Sequence, residues 1–175
     1  MTGCYSPSTP STTDDKDKNF WATSWKCFND AQFLYGRPFA IDVCAEPQTS
    51  KCQNFYSLML GLDALQLPWP DHWWCNPPFD QKIDFINCAV EQHTPGMMLL
   101  PYEPLTNWWQ DNIPNNVIIY EPKGRYGFLE RDGVTVKKGV NFGSAFVLFT
   151  QHVFDEPLRI RFNRNCHETS LATRK

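Results

Sequence analysis

Four short apolar runs set the terms for this chain: residues 39–45, 73–75, 97–101 and 117–120. Each is continuous rather than alternating, the pattern of a strand covered on both faces in a largely parallel sheet. Stretches of helical spacing lie around them. Residues 25–35 carry Phe28, Ala31, Gln32 and Tyr35 on one face and stop at Gly36 and Pro38. Residues 80–93 turn Ile83, Phe85, Ile86 and Val90 inward, and residues 104–111 make a shorter helix. Further strands are expected at 125–129, 144–150 and 158–162 with no helix between them. The order is βαβαβ followed by a β-rich C-terminal end, which predicts an α/β, doubly wound, mixed sheet with an antiparallel edge.

Residues 1–18 are rich in Ser, Thr and Pro and then in mixed charge, with nothing to pack. They are expected to form a disordered tail, leaving 19–175 as a single domain. A chain of 175 residues with 42% hydrophobic side chains can bury one full core. No apolar run approaches the roughly 20 residues of a membrane span, and the N-terminus lacks a basic-then-apolar leader. The seven cysteines are odd in number and form no C-x-x-C pair, so reduced thiols in a cytoplasmic protein are expected, and no metal site. Charge is unevenly placed: residues 1–120 hold 6 basic and 13 acidic side chains, residues 121–175 hold 10 and 6. The C-terminal excess of cations fits either an anionic partner or a solvated stripe.

The run Trp73-Trp74-Cys75 leads straight into Asn76-Pro77-Pro78-Phe79. This turn is similar to the catalytic turn of methyltransferases that act on exocyclic amines of nucleic-acid bases. Such an amine is a poor nucleophile because its lone pair is delocalised into the ring. Two acceptors that take its two N–H groups draw the nitrogen towards a tetrahedral shape. Asn76 offers a side-chain oxygen and Pro77 a backbone carbonyl, whose direction is fixed because successive prolines hold φ near −65°. Phe79 is placed to stack on a base swung out of its helix.

Other constellations read two ways. Asp42 is an acid inside the apolar run 39–45, followed by the small Cys44 and Ala45; it faces a ligand beyond the strand end or caps the next element. The Gly-rich phosphate loop of dinucleotide and triphosphate sites is absent, whereas a cofactor without phosphates, such as S-adenosylmethionine, needs none. Asp63 reads as an acceptor for an adenine amine or as a turn cap. Phe20-Trp21-Ala22-Thr23 reads as one wall of a nucleoside pocket or as core with an N-cap. Lys123, Arg125, Arg131, Lys137 and Lys138 lie among aromatics and glycines around an Arg131-Asp132-Gly133 turn, a hairpin that meets phosphates or is merely solvated.

Taken in order, Phe20–Thr23, Ile41–Ala45, Asp63–Leu65, Cys75–Phe79, Met98–Pro101, Gly124–Phe128 and Asn141–Ser144 resemble the bacteriophage DNA N6-adenine methyltransferase (Dam-type) family over roughly residues 19–162. The resemblance implies a Rossmann-like S-adenosylmethionine-dependent methyltransferase fold, with double-stranded DNA as partner. It makes Asn76, Pro77, Pro78 and Phe79 the catalytic motif. Asp42, with Cys44 and Ala45 after it, falls in the cofactor strand, Asp63 near the cofactor's adenine, and Phe20, Trp21 and Thr23 over its other side. One departure is Ser24, where the family commonly has proline. Methylation of a cytosine amine or an RNA base, and a catalytically silent DNA-binding or restriction-blocking protein, are the alternatives.

Overall fold

A sheet can be assembled outward from β3 (Trp73–Cys75) of the computed structural model, which describes residues 18–172. All but the last residue of the expected tail lie outside the described residues. Trp73 and Cys75 pack into one core cluster and Trp74 into another, so the strand is buried on both faces. β2 (Ile41–Asp42) and β4 (Gly96–Pro101) flank β3 and run parallel to it. β7 (Ser144–Phe149) follows antiparallel, then β5 (Val117–Lys123), then β8 (Leu158–Asn163) parallel to β5. β5 is antiparallel to β7, as β4 is, so the carboxyl ends of β2, β3, β4, β5 and β8 share one edge of the sheet. The architecture is a mixed α/β sheet, as the apolar runs predict, but the antiparallel strand β7 lies inside it between β4 and β5 rather than at an edge, and the edge strand β8 is parallel to its neighbour.

Helices cover both faces. α1 (Trp25–Tyr35) sends Cys27, Phe28 and Ala31 into the cluster around Trp74, Met97, Leu99 and Phe146. α2 (Lys82–Gln92) brings Phe85, Ile86, Cys88 and Ala89, and α3 (Asn107–Asn112) brings Trp109, to the cluster around Trp73, Met98, Leu100 and Val147. α1 begins where the Ser24 side chain accepts from the Cys27 N–H at 3.3 Å and ends on Gly36 at φ 83°. Gly96 allows Trp73 to lie flat against β4, since a Cβ there would come within 2.1 Å of the indole.

Several expectations change. The run 39–45 yields a strand of only two residues, because the Asp42 carboxylate takes the N–H groups of Cys44 (3.3 Å) and Lys51 (3.1 Å) and turns the chain out of the ladder. The stretch 125–129 gives β6 (Phe128–Leu129), which pairs outside the main sheet with β1 (Ala22–Thr23). β5 runs on through Pro122 because its ladder to β7 has already ended at Tyr120. The C-terminal α4 (Cys166–Ala172) was not foreseen.

α4 is tied to α1 by Asp30, a carboxylate with no exposure. It accepts from the Tyr126 hydroxyl (2.5 Å) and the Asn165 N–H (2.7 Å), and from the His167 N–H (3.2 Å) and Nδ1 (2.6 Å). Burial pushes the Asp30 carboxyl up, but the bonds from Tyr126, His167 and the two backbone N–H groups outweigh it and leave it lowered. A lowered carboxyl stabilises the fold above the ordinary carboxylate range, and that contribution disappears as pH falls through the folded value. Asp30→Asn should therefore cost roughly 2–4 kcal/mol in urea denaturation at pH 7. The deficit should shrink on acidification. A loss under about 0.5 kcal/mol at pH 7 would mean that Asp30 does not hold α4 to α1.

Candidate active site

Pro77 and Pro78 carry no N–H, so the β3–β4 ladder stops at Cys75 and the chain turns at the carboxyl edge. Asn76 stands at that turn, half-buried, and its Nδ2 donates to the Trp21 carbonyl at 3.0 Å. A carbonyl can be met only by the NH2 side of an amide, so this bond sets which way the side chain faces. Asn76 Oδ1 and the Pro77 carbonyl accept from no donor among the described residues. The Pro78 carbonyl, by contrast, is taken by the Gln81 N–H at 3.1 Å. Phe79 packs edge-on to Phe142 (5.2 Å between ring centres) and Trp21 (5.8 Å).

Beside the turn opens a cavity of about 470 Å³, within the range of small-molecule sites. All seven residues expected around a cofactor, Phe20, Trp21, Thr23, Asp42, Cys44, Ala45 and Asp63, line it, as does Asn76. Asp63 accepts the Leu65 N–H at 3.0 Å through Oδ1. Its stretch of chain also gives the wall Leu58, Met59, Leu62 and Ala64, an apolar surface suited to a base. Among the described residues, four buried side-chain polar atoms lack any partner. Three of them, Trp21 Nε1, Thr23 Oγ1 and Ser57 Oγ, belong to residues of this cavity. Orphaned donors concentrated in one cavity are what a site for a polar ligand leaves when the ligand is absent. The residues present therefore fit a nucleoside cofactor with a polar tail.

Asp42 is 3% exposed, and burial lifts its carboxyl to about 7 against the opposing pull of the Lys51 and Cys44 N–H groups. Lys51, Ser57 and Glu46 complete the wall and were missed from sequence. The one available signal was that Lys51 is the only Lys or Arg between Arg37 and Lys82.

The hairpin cations divide. Arg131 forms a bidentate pair with Glu46 (2.6 and 3.1 Å) and lies 4.1 Å from the centre of the Phe20 ring, in the cavity wall. Gly133, at φ 71°, approaches Gln48 so closely that a Cβ would sit 2.8 Å from its carbonyl. Lys137 pairs with Glu130 (3.3 Å) and lies 5.3 Å from the Trp21 ring centre. Lys123, Arg125 and Lys138 are exposed and form no ion pair among the described residues.

A protein-family model described as DNA N-6-adenine-methyltransferase (Dam) matches residues 10–171. A protein of Haemophilus phage HP1 (strain HP1c1) named DNA N-6-adenine-methyltransferase is 26% identical over 163 residues, covering 73% of this chain and 93% of that protein.

The raised Asp42 carboxyl has a measurable consequence. A carboxyl lifted by folding stabilises below its unfolded value, and that stability is lost as pH rises to the folded value near 7. Asp42→Asn keeps an acceptor and removes the ionisation. The stability of the variant relative to wild type, without ligand, should rise between about pH 4 and 7 by a few kcal/mol and stay level above. Thermal melts across pH test this; a constant difference would show that Asp42 is ionised throughout.

Proposed function

Because the chain belongs to the DNA N-6-adenine-methyltransferase (Dam) family and so methylates adenine in DNA, we propose that its methyl donor is S-adenosylmethionine and that Asn76 and Pro77 bind the target amine. The observation that carries this reading is the Asn76 Nδ2 bond to the Trp21 carbonyl at 3.0 Å, beside a cavity with three orphaned polar groups. We read the fold as a Rossmann-like methyltransferase fold and residues 19–175 as one domain.

Trp21, Thr23, Asp42 and Asp63 hold the cofactor, with the apolar stretch around Leu62 against its base. When bound, S-adenosylmethionine supplies an electrophilic methyl group. The chain's own work is on the amine. Asn76 Oδ1 and the Pro77 carbonyl accept its two N–H bonds, which localises the lone pair on nitrogen. Both acceptors are set before the base arrives, so little reorganisation is needed during reaction. The flipped base stacks on Phe79, whose ring turns out of the contact with Phe142. Arg131, paired to Glu46 and lying on Phe20, closes the cofactor side of the cavity against water.

DNA lies along the carboxyl edge of the sheet. Asn76 follows β3 there, and Lys123 ends β5 on the same edge. Lys123, Arg125 and Lys138 meet phosphates, whereas Arg131 and Lys137 support the cavity and its Trp21 wall.

Asn76→Ala should lower methyl transfer to DNA by about 10²–10³-fold in single-turnover assays. Calorimetric affinity for S-adenosylhomocysteine should change by no more than about threefold. Turnover close to wild type would remove Asn76 from the chemistry. Replacing Lys123 and Lys138 together by Ala should weaken DNA binding and flatten the dependence of log affinity on log salt by up to about 1.8. An unchanged slope would place the DNA elsewhere.

A further inference from the structure

Lys51 carries a cation into the cavity wall while only 9% exposed. Its Nζ donates to the Thr49 carbonyl at 2.8 Å and lies 5.0 Å from the centre of the Trp25 ring. Among the described residues it has no carboxylate within ion-pair distance and no second acceptor. An ammonium with three donors is thus withdrawn from water with most of them unmet, a costly arrangement unless an anion completes it. Burial lowers its pKa, opposed by the nearby Asp42. Asp42 is adjacent: its Oδ2 accepts the backbone N–H of Lys51 itself at 3.1 Å. Thr23, 4% exposed and with its hydroxyl unpartnered, lines the same cavity.

A buried cation beside a buried carboxylate is the mirror image of an amino-acid zwitterion, in which one carbon separates a carboxylate from an ammonium. It suits a phosphate poorly, because a phosphate carries no cation to pair with Asp42. We propose that Lys51 and Asp42 form an amino-acid subsite, in which Lys51, aided by the Thr23 hydroxyl, binds the cofactor's carboxylate and Asp42 binds its ammonium. The inference rests on the S-adenosylmethionine reading above. It makes Lys51 the residue that distinguishes the intact cofactor from compounds lacking the carboxylate, and it explains why an otherwise acidic stretch of chain keeps one lysine.

The test is calorimetric binding of S-adenosylmethionine and of decarboxylated S-adenosylmethionine to wild-type protein and to Lys51→Met. Wild type should prefer the carboxylated compound by roughly ten- to a hundredfold, the range of a hydrogen-bonded charge pair. Lys51→Met should bind S-adenosylmethionine weaker by about the same factor, bind the decarboxylated compound within about threefold of wild type, and lose the preference. A preference that survives in Lys51→Met overturns the assignment. If that variant does not fold by circular dichroism, Lys51→Gln takes its place, and wild type alone still decides: equal affinity for the two compounds overturns the subsite. Failure of wild type to bind either compound overturns the cofactor reading itself, irrespective of Lys51.

Discussion

The side-chain amide of Asn76 and the Trp21 carbonyl, 3.0 Å apart, join two segments separated by 55 positions of sequence. An amide is planar, so anchoring its nitrogen also directs its oxygen. The Asn76–Phe79 turn is stiffened from within by its prolines, but the direction of its one side-chain acceptor is fixed from outside. Trp21 is held in turn by the ladder of β1 with β6, by ring contacts to Phe79, Phe128 and Phe142, and by the Lys137 ammonium. The hairpin after β6 therefore reaches Asn76 through Trp21, and Phe128 and Phe142 at its two ends also pack on Phe79. Its Arg131 reaches the wall of the cavity through Glu46 and Phe20.

The cavity itself is held at a cost. Asp42 and Lys51 are both withdrawn from water, and hydroxyls of Thr23 and Ser57 are buried without partners. Each of these groups lowers the stability of the empty protein and is relieved by a ligand of complementary polarity. Stability given up at a functional site must be recovered elsewhere. Here the two aromatic and aliphatic clusters on either face of the sheet, and the Asp30 network that fastens α4 to α1, supply it.

What was legible in the sequence was local. Asn76-Pro77-Pro78-Phe79 declares its geometry because proline fixes φ covalently, and continuous apolar runs declare strands buried on both faces. An acid inside such a run, Asp42, marks itself as exceptional. The rest depends on pairings across the fold that no short window contains. Asp30 looks like a solvated helix residue until Tyr126 and the chain at 165–167 close over it. Lys51 and Ser57 lie in a loop without periodicity, and only the turn made by Asp42 brings Lys51 to the cavity. The hairpin cations form one cluster by composition, yet the fold engages Arg131 and Lys137 with Glu46 and Glu130 and leaves Lys123, Arg125 and Lys138 exposed.

On the function proposed above, the target amine is gripped by two acceptors prepared in advance. A crystal structure of the protein with S-adenosylhomocysteine and its DNA measures this grip directly. The adenine N6 atom should lie about 3 Å from both Asn76 Oδ1 and the Pro77 carbonyl oxygen, with the Asn76–Trp21 bond unbroken. An adenine amine bound by other groups, or an Asn76 side chain that leaves Trp21 when the base enters, would contradict it.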